Sequence, residues 1–319
     1  MSETLLRLFS TKETYNKSIE QLANTNEVIK ELSSDEVLYN NPILENPYEN
    51  GLIYKALHVK GFSIAIHKLG YFLINEIEKK GGHFSWGIGV NKVLKSKGSK
   101  IVGFRMTDGE ELTKGTIIFS PGAYAHDLLN DLGIKHYCNS VLGMWLKIPD
   151  EDNGLKSPLK LARNGIYSNG ACSSSNIIPV EDEGGNHILI SSGHGFIGKN
   201  HNYCNDQILH LSKGVIDVAR KFFSNNKVSI KNISYCIRPW TYTCLGFFKN
   251  IPTDNGNIIV TGGHNTGGFA QAPVVANAIL NEIDNKVNEL AYIHNPERGS
   301  FVYRIPPVET DDDVIFLAQ

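Results

Sequence analysis

Two glycine-rich stretches carry the residue types that could hold a phosphorylated or anionic ligand. Gly193, Gly195 and Gly198 stand in G-x-G-x-x-G spacing within "HILISSGHGFIGKNHN", directly after an apolar run that reads as a strand. Such glycines cradle a pyrophosphate only where the third lies inside a helix whose N-terminus faces the phosphates. Here Lys199 to Cys204 has turn composition and the next helix is expected only from about Asn205, so the motif by itself is weak. The reading is a strand end followed by a glycine loop. The second stretch is Gly262-Gly263-His264-Asn265-Thr266-Gly267-Gly268. "NIIVT" before it reads as a buried strand, and a helix is expected at once after it, with Pro273 in its first turn. Glycines let a ligand approach the backbone, and the helix end offers unpaired amides and positive potential. That arrangement suits an anion, or a group that becomes negative during reaction. On pattern alone, a plain glycine-rich connection would look the same.

The elements that must position these turns mix two periods. Ser10-Thr11-Lys12-Glu13 reads as a capping box, followed by Tyr15, Ile19, Leu22, Val28 and Ile29 at loosely helical spacing. Asn40 to Asn50 is rich in Asn and Pro and reads as irregular. Ile66, Leu69, Leu73 and Ile77 share one helix face, and Gly81-Gly82 supplies the stop. "HFSWGIGVNKVLKSKG" and "KIVGFRMTDGEEL" read as strands with tight turns at Lys97-Gly98 and Asp108-Gly109. "GTIIFSPGAYAHDLL" is a short strand, a glycine turn and a helix start. From Tyr137 to Tyr235 the chain is mostly strand-like ("VLGMWLKI", "GIYSN", "HILISS", "VSIKNISY"), with one helix over about Asn205 to Phe223. Strands and helices without regular alternation predict an α+β fold, in which an α/β layer is interrupted by an antiparallel sheet flanked by helices.

A chain of 319 residues can bury one large core or two smaller ones. Its net charge of −2 gives no global field for nucleic acid or acidic membrane. No apolar run approaches the ~18 residues of a membrane span. "MSETLLRLFSTKE" lacks the pattern of a secretory leader. The five cysteines include no C-x-x-C and read as reduced thiols in a cytoplasmic protein. The histidines form no H-E-x-x-H or Cys/His ligand set, so no metal site is expected.

"CIRPWTYTCLG" followed by "NIIVTGGHNTGGFAQAPVVANAIL" resembles the carboxyl-terminal signature of FAD-dependent amino-acid oxidoreductases, the group of D-amino-acid dehydrogenase, glycine oxidase and sarcosine oxidase. "LGYFLINEIEKKGGHFSWGIGVNKVLKSKGSKIVGFRMTDGEELTKGTIIFSPGAYAHDLL" is similar to the family's central helix, three-stranded segment and glycine turn, and "LAYIHNPERGSF" to its ending. The likeness runs from about Leu5 to Phe301. It places Gly193–Gly198 in the substrate-binding sheet, so that motif is not the cofactor cradle.

The resemblance implies FAD as cofactor and hydride transfer from the substrate's α-carbon to flavin N5. It implies that Arg238 holds the substrate carboxylate through its planar fork, and that Trp240 and Tyr242 wall the pocket. It implies cofactor contacts from Val90, Ser120, Pro121, Gly122, Gly263, His264, Asn265, Thr266, Gly267, Gly268 and Phe269, mostly through backbone groups. His264 is expected to pack rather than act as acid or base. The domain reading is a partial FAD-binding domain over 1–136, a substrate-binding domain over 137–235, a return to the FAD-binding domain over 236–301, and a tail over 302–319.

Two departures from the family pattern stand out. Its members begin with a strand, a G-x-G-x-x-G turn and a helix that hold the ADP half of FAD, whereas "LLRLFSTKETYNKSIEQLA" resembles the segment after that unit. Either a protein partner supplies the ADP-binding half, which is the expectation, or the chain is a fragment or a relic that no longer binds flavin by itself; a non-catalytic scaffold subunit is the alternative function. After R-P the family reads T-x-D-G-x-P; here Thr241 is followed by Tyr242, Thr243, Cys244, Leu245 and Gly246. This leaves the substrate, an amino acid or secondary amine, undefined.

Overall fold

The computed structural model describes residues 2–134, 138–162, 175–198, 205–224, 228–241 and 245–288. The chain opens with β1 (Ser2–Phe9) and α1 (Lys12–Leu22). The cap of α1 is Thr11 rather than Ser10. Its backbone is extended, its hydroxyl accepts the Thr14 amide at 3.2 Å, and its own amide donates to the Thr14 hydroxyl at 3.3 Å. Two threonines thus close the box one residue later than the Ser-Glu spacing predicts. The helix also stops sooner: the Thr25 hydroxyl donates to the Leu22 carbonyl, and Val28 and Ile29 enter β2 (Val28–Leu32). Local spacing misled because those apolar residues lie beyond an Asn/Thr turn, whose side chains compete for the last helical carbonyls.

The Asn-rich stretch is more ordered than its composition predicts. It carries the end of α2 (Ser34–Asn40), a 3-10 turn over Pro42–Leu44 and α3 (Glu45–Glu49). Buried Asn41 organises it, because its Oδ1 accepts the Lys156 and Ser157 amides at 3.0 Å each, while Leu44 is fully buried. After β3 (Lys55–Ser63) comes α4 (Ile66–Lys79), which Gly81 ends with φ +86°. Then follow β4 (Val90–Lys95), β5 (Ile101–Met106), β6 (Glu111–Leu112), β7 (Gly115–Phe119) and α5 (His126–Asp131). The second half holds β8 (Asn139–Pro149), β9 (Leu159–Ala162), β10 (Ser175–Asp182), β11 (Gly185–Gly198), α6 (Asn205–Phe222) and β12 (Ile233–Trp240). It closes with β13 (Phe247–Thr253), β14 (Gly256–Gly262) and α7 (Gly268–Ile283). "VSIKNISY" becomes strand only from Ile233, since a 3-10 turn occupies Ile230–Asn232 and Asn232 Oδ1 accepts the Ser229 amide. "GIYSN" falls outside the described residues.

The architecture is the α+β mixture expected. One eight-stranded sheet runs β12-β8-β11-β10-β9-β1-β3-β2, and two three-stranded sheets run β13-β14-β7 and β4-β5-β6. All pairings in the large sheet are antiparallel except β1 with β9. It draws strands from residues 2–63 as well as from 139–240, so the chain interleaves its layers rather than completing one before the next.

α6 packs on the large sheet, putting Leu211, Val215, Val218 and Phe222 against Leu142, Met144, Leu146, Ile177 and Ile190 in one core. Gly195 belongs to this contact: a Cβ there would stand 2.9 Å from Leu211 Cδ2. The G-x-G-x-x-G stretch is therefore strand through Gly198, with register shifts between Ser192 and His194 and between Phe196 and Gly198. Its middle glycine admits a helix side chain rather than a phosphate. Leu146, fully buried at the centre of this core, gives a direct check. Leu146→Ala is expected to cost about 2–5 kcal/mol in a urea melt, by lost burial and the cavity left behind.

A second core joins Val93, Phe104, Phe119, Leu129, Phe247, Ile258 and Val260 across the two small sheets and α5. No helix among the described residues is long and apolar enough to cross a membrane.

Candidate functional site

The glycine turn at 262–268 lies between β14 and α7, as its flanking sequence predicts. Gly263 has φ +70°, and a Cβ there would stand 2.3 Å from Thr241 Cγ2. Thr241 is buried and ties the turn to the end of β12. Its hydroxyl donates to the Gly263 carbonyl at 2.9 Å and accepts the Gly246 amide at 3.2 Å. Its amide donates to Asn265 Oδ1 at 2.8 Å. Trp240 and His264 form an isolated antiparallel bridge beside it. The end of β12 and the glycine turn, 24 residues apart in sequence at Thr241 and Asn265, are thereby one structure.

His264 is fixed from several sides. Its Nδ1 faces two acceptors, the Leu245 carbonyl at 2.9 Å and Gln271 Oε1 at 3.1 Å, so this nitrogen carries the proton. Nε2 is then the acceptor for the Thr261 hydroxyl at 3.2 Å. The ring acts as a brace between β14, α7 and the loop at Leu245.

A cleft of about 340 Å³ opens on this junction. It gathers Ser120 and Gly122 from the β7–α5 turn, Gly262 to Asn265, Gly268, and the α7 residues Ala272, Val275, Ala276 and Ile279. Gly122 has φ +69°, which suits the tight turn after β7. Gly267, the cap of α7, carries no side chain, and no side-chain hydrogen bond caps the helix. Pro273 falls at the sixth residue of α7 rather than in its first turn, because a 3-10 turn over Asn265–Gly267 precedes the helix. Its missing amide leaves the Phe269 carbonyl without its i+4 partner.

The remaining sequence candidates are not all at the cleft. Pro239 lines it. Arg238, its neighbour in β12, points to the other face of the strand by simple alternation, together with Trp240. Arg238 pairs in the ladder with Val141 and is half-buried, and its side chain makes no hydrogen bond or ion pair in the described structure. Phe269 at the start of α7 meets Phe62 at the end of β3 edge to face, with centroids 6.3 Å apart. Val90 begins β4 in a separate sheet and does not line the cleft, nor do Pro121 and Gly267. The turn backbone includes Thr266, and Tyr242 lies outside the described residues.

Three contributors were not singled out from sequence: the hydrogen-bond hub at Thr241, the brace from Gln271, and the small-residue face of α7. The retained Thr after R-P was the available signal for the first. Burial pushes the Cys138 thiol up to about 11, in keeping with a small buried apolar role for this cysteine.

Residues 4–281 match the family described as FAD dependent oxidoreductase (DAO). The chain belongs to this family. FAD is accordingly its cofactor, and the cleft fits part of such a group: four glycines bring backbone to its surface, and α7 starts there at Gly268 without a side-chain cap. Among solved structures, it is similar to glycine oxidase from Geobacillus kaustophilus, with 18% identity and a TM-score of 0.71 over 94% of this chain and 76% of that one. Iminodiacetate oxidase from Chelativorans sp. BNC1 gives 14% identity and 0.66 over 93% and 76%. L-proline dehydrogenase from P. horikoshii gives 14% and 0.63 over 93% and 76%. About a quarter of each of these chains has no counterpart here. No curated protein matches the sequence.

Several edges and helix faces carry exposed apolar residues. β7 ends its sheet, so its outer edge has no strand partner among the described residues, and Ile118 on it is 49% exposed. α4 contains no buried residue, although Ile66, Phe72, Leu73 and Ile77 give it an apolar side. α7 buries only Ala278 and exposes Phe269, Val274, Leu280 and Ile283.

Proposed function

We propose that this chain is the substrate side of an FAD-dependent oxidoreductase that oxidises the C–N bond of an amino acid or secondary amine. The observation that carries the reading is Arg238. A half-buried guanidinium with no hydrogen-bond or ion-pair partner among the described residues, on a strand end tied to the glycine turn, has its donors open to an anion. A substrate carboxylate is such an anion, and the fork can accept it through two parallel charge-assisted bonds. Glycine, iminodiacetate and proline, named for three of the similar structures, each carry a carboxylate one carbon from an amine nitrogen.

In this reading Arg238 orients the substrate, and Trp240 and Tyr242 wall its pocket. Val90, Ser120, Pro121, Gly122 and the turn Gly263 to Phe269 hold the cofactor. FAD when bound supplies the hydride acceptor. The first-turn amides of α7 oppose negative charge that develops beside them. His264 is the single titratable residue lining the cleft among the described residues, and its ring is occupied on both nitrogens. In this reading the substrate amine arrives neutral, and among the described residues lining the cleft no side chain is placed to take its proton.

A partner chain supplying the ADP-binding half is part of the proposal. The open edge of β7, continuous with the cleft through Ser120, is where a further strand would join, and the apolar sides of α4 and α7 would be covered with it. The test is co-expression with the proteins encoded beside it. A yellow complex with flavin absorbance, and a colourless chain alone, is the expected result. A complex that assembles without flavin would instead assign a scaffold role.

A further inference from the structure

Arg238 owes its position to a residue that carries no side chain. In the β12–β8 ladder Cys236 stands opposite Gly143, and Arg238 opposite Val141. The arginine side chain nevertheless runs over Gly143. A Cβ at that glycine would stand 2.4 Å from the guanidinium Cζ, 2.5 Å from Nε and 2.6 Å from Nη2. Backbone conformation does not call for glycine here, since Gly143 is absent from the residues with positive φ and lies within regular strand. Glycine inside a strand costs roughly 0.5–1 kcal/mol of stability. The close approach of the guanidinium is what requires it, and with no hydrogen bond or ion pair in the described structure, packing alone sets the direction of the fork.

We propose that Gly143 is a positioning residue for carboxylate recognition: its bare backbone lets the Arg238 guanidinium lie flat on β8, and any side chain there would lift the fork off the sheet. The inference rests on the reading of Arg238 as the carboxylate anchor. Losing the alignment of one of two parallel charge-assisted bonds costs about 1.4 kcal/mol or more, roughly ten-fold in affinity.

The test uses the full chain, with its partner where one is found, and benzoate as the carboxylate probe, followed by the fluorescence of Trp145 and Trp240. The wild type is expected to titrate to saturation, Arg238→Ala to lose the response, and Gly143→Ala to bind about ten-fold or more weakly. In the Arg238→Ala background, Gly143→Ala should change nothing further. Wild-type affinity in Gly143→Ala, with the response lost in Arg238→Ala, overturns this inference and leaves the carboxylate reading standing. Absence of a saturable response in the wild type overturns both. Thermal melting gives a second arm that holds even if Gly143→Ala folds poorly. Removing the guanidinium makes room for the methyl group, so the double variant should melt no lower than Gly143→Ala alone. A double variant that loses the sum of the two single effects also overturns the inference.

Discussion

Arg238→Ala is expected to reduce kcat/KM for amine oxidation by roughly 30- to 1,000-fold, with most of the loss in KM. The magnitude follows from a partly desolvated charge pair, whose truncation costs about 2–4 kcal/mol at about 1.4 kcal/mol per factor of ten. The variant leaves the fold in place, because the guanidinium makes no hydrogen bond or ion pair that the described structure depends on. Arg238→Lys should recover only part of the loss: an ammonium keeps the charge but gives up the two parallel bonds of the fork. Steady-state oxidation of glycine, sarcosine and proline by the reconstituted flavoprotein measures both variants. An unchanged KM in Arg238→Ala would remove the carboxylate role, and with it the main argument for an amino-acid substrate.

The second large effect is expected at Gly263. Gly263→Ala meets two penalties at once. A φ of +70° is a conformation that L-residues adopt only at a cost of roughly 1–2 kcal/mol. The new methyl group would also stand 2.3 Å from Thr241 Cγ2. Thr241 cannot move away freely, since its hydroxyl bonds the Gly263 carbonyl and the Gly246 amide. Overpacking of this kind adds roughly 1–3 kcal/mol. The total, about 2–5 kcal/mol, should appear as a lower midpoint in chemical denaturation, and flavin retention should fall with it. Full stability and full flavin content in Gly263→Ala would show that the turn is freer than its contacts indicate.

The stretches that folded as their sequences predict are those with a self-contained signal. β14, the glycine turn and α7 follow one another because an apolar run, a cluster of glycines and a helix-forming run each act within a few residues. α4 and its stop at Gly81 follow from one apolar stripe and one glycine. β4 and β5 follow from two β-rich runs around a tight turn. Helix ends were less legible, because Thr11 and Thr14, or Thr25 and Leu22, compete with neighbouring residues for the same few amides and carbonyls. The order in Asn40–Asn50 was not legible, since it depends on Asn41 reaching Lys156 and Ser157 across more than a hundred residues.

The amino-acid order by itself determined the family, the cofactor and the glycine turn beside a helix, because these are carried by short runs whose backbone demands are local. Tertiary structure alone decided that Gly195 admits Leu211 and that Gly143 admits Arg238. It also decided that Thr241 binds the end of β12 to the turn. A glycine's spacing states only where a side chain is missing. What fills the space is fixed by strand pairing and helix packing between segments far apart in the chain, and those are properties of the folded layers.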